Sequence, residues 1–144
     1  MSETLLAGYD GSEEGRRAVE FAAGRAALCG ARLVVAYVIE WSPYSFHTPE
    51  ELEERHKRRE EELDRAEEQM LKPLVQALQS KGATVESVVR HGHAVEVMTK
   101  LAQEYSASEM FVGRRGQTRV QSLLFGGLAT SLIQVAPVPV TVVP

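Results

Sequence analysis

The sequence is poor in the features that tie a chain to a membrane, an oxidising compartment or a nucleic acid. A single cysteine, Cys29, cannot close an internal disulfide, which fits a reducing compartment. No apolar run approaches the ~20 residues that a membrane-spanning helix needs. The start, "MSETLLAGYDGS", has no basic region followed by an apolar one, so no secretory leader is expected. Basic residues do not dominate: 16 Lys and Arg stand against 20 Asp and Glu, a net charge of -4. That balance argues against general nucleic-acid binding while leaving room for a local basic site. The expectation is a cytoplasmic protein.

Several catalytic and nucleotide-binding signatures are also missing. There is no G-x-x-x-x-G-K-[ST], no G-x-G-x-x-G after the first strand and no G-x-S-x-G. These absences exclude a P-loop, the dinucleotide fingerprint and a nucleophile elbow. No nucleophile, base and orienting partner fall into a catalytic pattern, so no enzyme is expected.

What is present is a chain of 144 residues, 44% hydrophobic and 25% charged, the composition of one globular domain over residues 1–144. Leu5 to Tyr9, "LLAGY", reads as a buried strand ending in a turn. Ser12 can cap the helix that follows, with Glu13 and Glu14 at its positive end and Gly30 as its stop. "RLVVAYVI", Arg32 to Ile39, is a β-branched run without alternation, as in a strand covered on both faces. Thr84 to Arg90 is a more polar strand and a candidate edge; "EMFVG" and "VPVTVV" are the fourth and fifth. Between the third and fourth, Val97, Leu101, Ala102 and Tyr105 share one helical face. Strands alternating with helices predict a parallel sheet with helices on both faces.

Thr48 to Lys81 predicts a long helix. Thr48, Pro49 and Glu51 form its N-terminal signature. Glu51–Arg55, Glu53–Lys57 and Glu54–Arg58 are favourable i,i+4 pairs, each worth ~0.2–0.5 kcal/mol. With no large apolar residue between Glu53 and Glu62, the first half should project into solvent. Leu63, Ala66, Met70, Leu74 and Ala77 form a stripe that should dock, and Pro73 should kink or loosen the helix.

Ligands of open parallel sheets bind beyond the C-terminal strand ends, where strand order reverses. Two glycine-containing turns leave such ends: "YDGS" and "VGRRG". The second runs to a helix start near Gly126 or Gly127, a place with unpaired N–H groups and a positive dipole end. Arg114, Arg115 and Arg119 add charge. An anion site and a set of tight turns flanked by solvated arginines explain these residues equally well.

The motifs together resemble the universal stress proteins. Nucleotide-binding members carry glycine, two residues, glycine, nine residues, then glycine followed by serine or threonine. Here Gly113, "RR", Gly116, "QTRVQSLLF" and Gly126 match. "YDGS", "VVAYVI", "HGHAVEVMTKLAQE", "MFVGRRG" and "APVPVTVV" fall in family order, so the resemblance covers nearly the whole chain. It implies a Rossmann-like sheet of order 3-2-1-4-5, and a regulatory role with an adenine nucleotide, ATP with Mg or else AMP or ADP, bound at the switch point. It places Asp10 near the nucleotide and its metal, Val38 at the adenine, and Val112 and Gly113 along the ribose and phosphates. Arg114 joins this group, and Gly116, Gly126 and Gly127 wrap the phosphates. It also implies a homodimer through the fifth strand, around Val138, Val140 and Val142.

The chain departs from the motif at Gly127, where the hydroxyl residue is expected. The loss removes one phosphate hydrogen bond, ~0.5–1.5 kcal/mol, or ~1.5–3 for a charged acceptor. The alternative reading is therefore a stress-response interaction module without nucleotide, acting on an unidentified protein partner. Elsewhere, His91 and His93 read as a polar turn rather than a metal site, and Cys29 as a small packing residue. "RHKRR", Arg55 to Arg59, reads as part of a solvated helix face. Trp41, Tyr44 and Phe46 read first as cover for the core and, as the alternative, as a wall of the nucleotide pocket or a partner surface; Ser122 to Phe125 read as a pin for the glycine loop or a partner contact.

Overall fold

A computed structural model describes residues 3–40, 48–115 and 127–144. Trp41, Tyr44, Phe46, His47, Gly116, Arg119, Gly126 and the segment Ser122 to Phe125 lie outside the described residues. Strand β1 spans Thr4–Gly8, β2 Arg32–Ile39, β3 Val85–His91, β4 Glu109–Gly113 and β5 Val140–Val143. Helix α1 spans Glu13–Cys29, α2 Pro49–Ala66, α3 Lys72–Ser80, α4 Ala94–Glu104 and α5 Gly127–Val135. The strands form one parallel sheet in the order β3-β2-β1-β4-β5, the order that the resemblance implies. The polar third strand is at one edge and β5 at the other.

Alternate strand residues feed two cores. Leu5, Ala7, Leu33, Val35 and Phe111 pack beneath α1 and α3. Leu6, Val34, Ala36, Met110 and Val112 pack beneath α4 and α5. This is why the central strands read as unbroken apolar runs: both faces of the pleat are buried.

Local chemistry sets the helix ends. Ser12 Oγ accepts from Gly15 N–H at 3.0 Å. At the other end of α1, Gly30 takes φ 68°, and Ala31 N–H returns to the Ala26 carbonyl at 2.8 Å. At α2 both arms of the capping box form: Glu51 N–H to Thr48 Oγ1 at 3.2 Å, and Thr48 N–H to Glu51 Oε2 at 3.1 Å. Within α2 only Ala66 is buried, so this helix projects as its charge pattern predicts.

Between α2 and α3 lies one π-helical turn, Glu67–Leu71. Lys72 N–H donates to the Glu67 carbonyl, five residues back. Pro73 follows directly. It has no N–H, and in a regular helix its ring would meet the carbonyl four residues earlier; a wider turn relieves that contact. The extra residue corrects the predicted stripe. Ala66 and Leu74 are buried as expected, but Leu71 and Leu78 take the places assigned to Met70 and Ala77. Met70 is half-buried and Ala77 exposed.

Cys29 also differs from expectation. It is exposed at the end of α1, its Sγ donating to the Arg25 carbonyl at 3.1 Å. The helix presents Ala26 to the core instead, and the next turn of side chains faces solvent.

Candidate functional site at the strand switch

β1 and β4 are hydrogen-bonded neighbours, with Leu5, Leu6 and Ala7 opposite Glu109, Met110 and Phe111. From β1 the chain crosses to β2 on one side; from β4 it crosses to β5 on the other. The two connections diverge, and the crevice at which open parallel sheets take their ligands is expected beyond these C-terminal strand ends, after Gly8 and Gly113.

Asp10 is bound into the first turn of α1. Its Oδ1 accepts from Ser12 N–H at 2.9 Å and from Ser12 Oγ at 2.5 Å, while the same hydroxyl caps Gly15. Carboxylates are stabilised at this end of a helix by the amide dipoles. Next to Asp10 stand Tyr9 and Tyr37, ring centroids 6.5 Å apart and planes tilted by 57°. Burial, then the charge of Asp10, then Tyr9 push the Tyr37 phenol above its ordinary pKa. Sequence reading passed over this aromatic pair. The available signal was that Tyr9 precedes Asp10 and that Tyr37 lies near the end of the neighbouring strand.

Val38, on the last turn of the pleat in β2, is half-buried against the α4 side. Val112 is 1% exposed, so it offers a ligand only its backbone. Gly113 ends β4 within van der Waals range of α1: a Cβ there would lie 3.0 Å from the carbonyl carbon and oxygen of Glu14. Arg114 and Arg115 are exposed, and Arg114 N–H donates to the Val143 carbonyl at 2.7 Å, joining the ends of β4 and β5. Gly127 is the first residue of α5, and a Cβ on it would have no neighbour within 4 Å among the described residues. The first turn of α5 contains no acidic residue, so its amide dipoles are not offset there. Gly116 and Gly126 belong to the segment outside the described residues.

The histidine turn joins β3 to α4. His91 ends β3, its Nε2 3.4 Å from Glu62 Oε2 on α2. His93 is the N-cap of α4 without a side-chain cap bond. Among the described residues no three His, Cys, Asp or Glu gather as metal ligands, and no helix is long and apolar enough to cross a membrane.

At the edge, Val138, Val140 and Val142 are half-buried against the core under α4 and α5. β5 begins later than predicted, at Val140, because Pro137 and Pro139 cannot donate to a ladder. Pro139 still contributes its carbonyl, accepting from Met110 N–H at 2.9 Å.

Comparison with known proteins gives a consistent picture. The universal stress protein family model matches residues 1–144. A Thermus aquaticus protein, described as a universal stress protein in the 3' region of a QAH/OAS sulfhydrylase, is 33% identical over 144 residues, 99% of each chain. Universal stress protein UspA from Lactobacillus plantarum superposes with TM-score 0.85 at 20% identity, over 99% of this chain and 97% of that one. A universal stress protein in complex with cAMP gives 0.65 at 23% identity, over 99% and 96%. One from Archaeoglobus fulgidus in complex with dAMP gives 0.64 at 20% identity, over 100% and 98%.

Proposed function

Because the chain belongs to the universal stress protein family, we propose that it is a regulatory protein that binds an adenine nucleotide, ATP with Mg, at the crevice between β1 and β4. One observation carries this reading: neighbouring strands whose connections diverge, ending in Asp10 on one side and Gly113 on the other. The structures with bound cAMP and dAMP support the nucleotide class.

The crevice residues suit the ligand. Asp10 supplies the hard oxygen that a magnesium ion prefers. Arg114, Arg115 and the acid-free first turn of α5 suit phosphates. When bound, the metal supplies neutralisation of phosphate charge. Val38 would flank the adenine, and the Val112 and Gly113 backbone the ribose and phosphates, with Gly116, Gly126 and Gly127 about the phosphate chain. No catalytic group is assigned, and any hydrolysis of ATP would be slow and incidental to the regulatory role. The protein acts in the cytoplasm as a homodimer through β5, whose outer side has no strand partner in the sheet.

A second reading, an interaction module without nucleotide, is favoured by Gly127, which removes the side-chain hydroxyl from the phosphate motif. Denaturing freshly purified protein and analysing the supernatant separates the two. Released adenine nucleotide supports the first. Its absence, joined with no heat on titrating ATP and Mg, supports the second.

A further inference from the structure

α1 contains two glycines whose surroundings are opposite. A Cβ at Gly24 would meet nothing within 4 Å, whereas a Cβ at Gly15 would lie 2.6 Å from Asp10 Oδ1 and 3.2 Å from Ser12 Oγ. Gly15 is buried in the first turn. Glycine within a helix is destabilising by roughly 0.5–1 kcal/mol relative to alanine; at Gly15, unlike Gly24, the missing Cβ leaves space that another group occupies. The hydrogen bonds show which group. The space left by the missing Cβ is where the Asp10 carboxylate folds over the helix, reaching Ser12 N–H and Oγ, while Ser12 Oγ turns to Gly15 N–H.

We propose that Gly15 is a positioning residue for Asp10: the absent side chain fixes the carboxylate in one orientation at the rim of the crevice, ready for a metal-bound nucleotide. The inference rests on the nucleotide reading above. Its physical content is preorganisation. A carboxylate already held by Ser12 loses little rotamer freedom when a ligand arrives, and affinity rises by the ordering that binding no longer has to supply. Gly15→Ala acts on this selectively. The Cβ would meet the Asp10 carboxylate first, at 2.6 Å, then Ser12 Oγ at 3.2 Å and the Asp10 backbone nitrogen at 3.3 Å; the carboxylate turns away on its rotatable bonds, the other two contacts need a shift of only a few tenths of an ångström, and the alanine improves helix propensity.

The test uses the full chain as wild type, Gly15→Ala, Asp10→Ala and the double variant. In ligand-free protein, the Ser12 amide proton resonance of Gly15→Ala should move in the same direction and to the same extent as in Asp10→Ala. By calorimetry, Gly15→Ala should weaken ATP binding about three- to tenfold in Mg, equivalent to ~0.65–1.4 kcal/mol, and leave binding in EDTA unchanged. The double variant should bind no more weakly than Asp10→Ala alone. An unmoved Ser12 resonance, or losses that multiply in the double variant, overturns the proposal. A wild type that binds no ATP defeats the nucleotide reading instead, and the Ser12 resonance still decides whether Gly15 places the carboxylate.

Discussion

Gly113 touches Glu14 backbone to backbone: a Cβ at Gly113 would stand 3.0 Å from the Glu14 carbonyl carbon and oxygen and from the Arg115 carbonyl oxygen. Unlike the end of a side chain, helix backbone cannot turn aside. Gly113→Ala is therefore expected to destabilise the fold by about 1–3 kcal/mol, the usual range for overpacking. Urea denaturation reads this directly as a lower midpoint, and an unchanged midpoint would show that α1 yields. This glycine brings β4 against α1 before any ligand is considered, so ligand binding in its variants must be compared at equal folded fraction.

Gly127 is the opposite case. Among the described residues nothing lies within 4 Å of the position of its Cβ, so none of them obstructs a side chain there. Gly127→Ser restores the hydroxyl of the family motif and should tighten ATP binding by up to roughly tenfold, ~1.4 kcal/mol. Titration calorimetry in Mg checks it. Equal affinities with an intact fold mean that no phosphate comes within reach of the new hydroxyl.

The π-helical turn gives a test inside the core. Leu71 is fully buried, while Met70 is half-buried beside it. Leu71→Ala should destabilise by about 2–5 kcal/mol, the range for a buried leucine, and Met70→Ala by much less. If the two thermal midpoints fall equally, the turn is not present in solution.

At the β5 edge, Val140 pairs in register with Met110 and is half-buried by its own domain. In the proposed homodimer a twofold contact would use each residue twice, so Val140→Lys would place two charges in one interface and should shift a wild-type dimer to monomer. Sedimentation across a concentration series is the measurement. A wild-type chain that stays monomeric at high micromolar concentration removes the dimer.

Much of this architecture was legible because it is written locally. Ser12, Gly30, Thr48 and Glu51 bond within four residues of themselves, and the sequence interval alone reveals such caps. β2 and β4 were legible to the residue because burial on both faces leaves continuous apolar runs. The phase of α3 was not. Periodicity assumes a constant turn, and the wider turn before Pro73 puts Leu71, five residues after Ala66, where Met70 was expected; from Leu74, buried as predicted, the regular helix buries Leu78 four residues on rather than Ala77. Nor was Gly15 legible. Glycine at the third position of a helix looks like weak propensity until the fold brings the Asp10 carboxylate onto it. Gly113 belongs to the same class: its motif spacing suggested a ligand, and its contact with Glu14 is a property of the tertiary arrangement.

The widened turn at Glu67–Leu71 also sets the clocking of α2 about its own axis. Each residue of a regular helix advances the azimuth by ~100°. Deleting one residue from the regular helix just ahead of this turn would rotate the preceding residues of α2 by about that angle relative to α3, and shorten the reach by ~1.5 Å. The charged rod would then show a different side to its surroundings, with Glu62 swung off His91, while the sheet and its crevice stayed as they are.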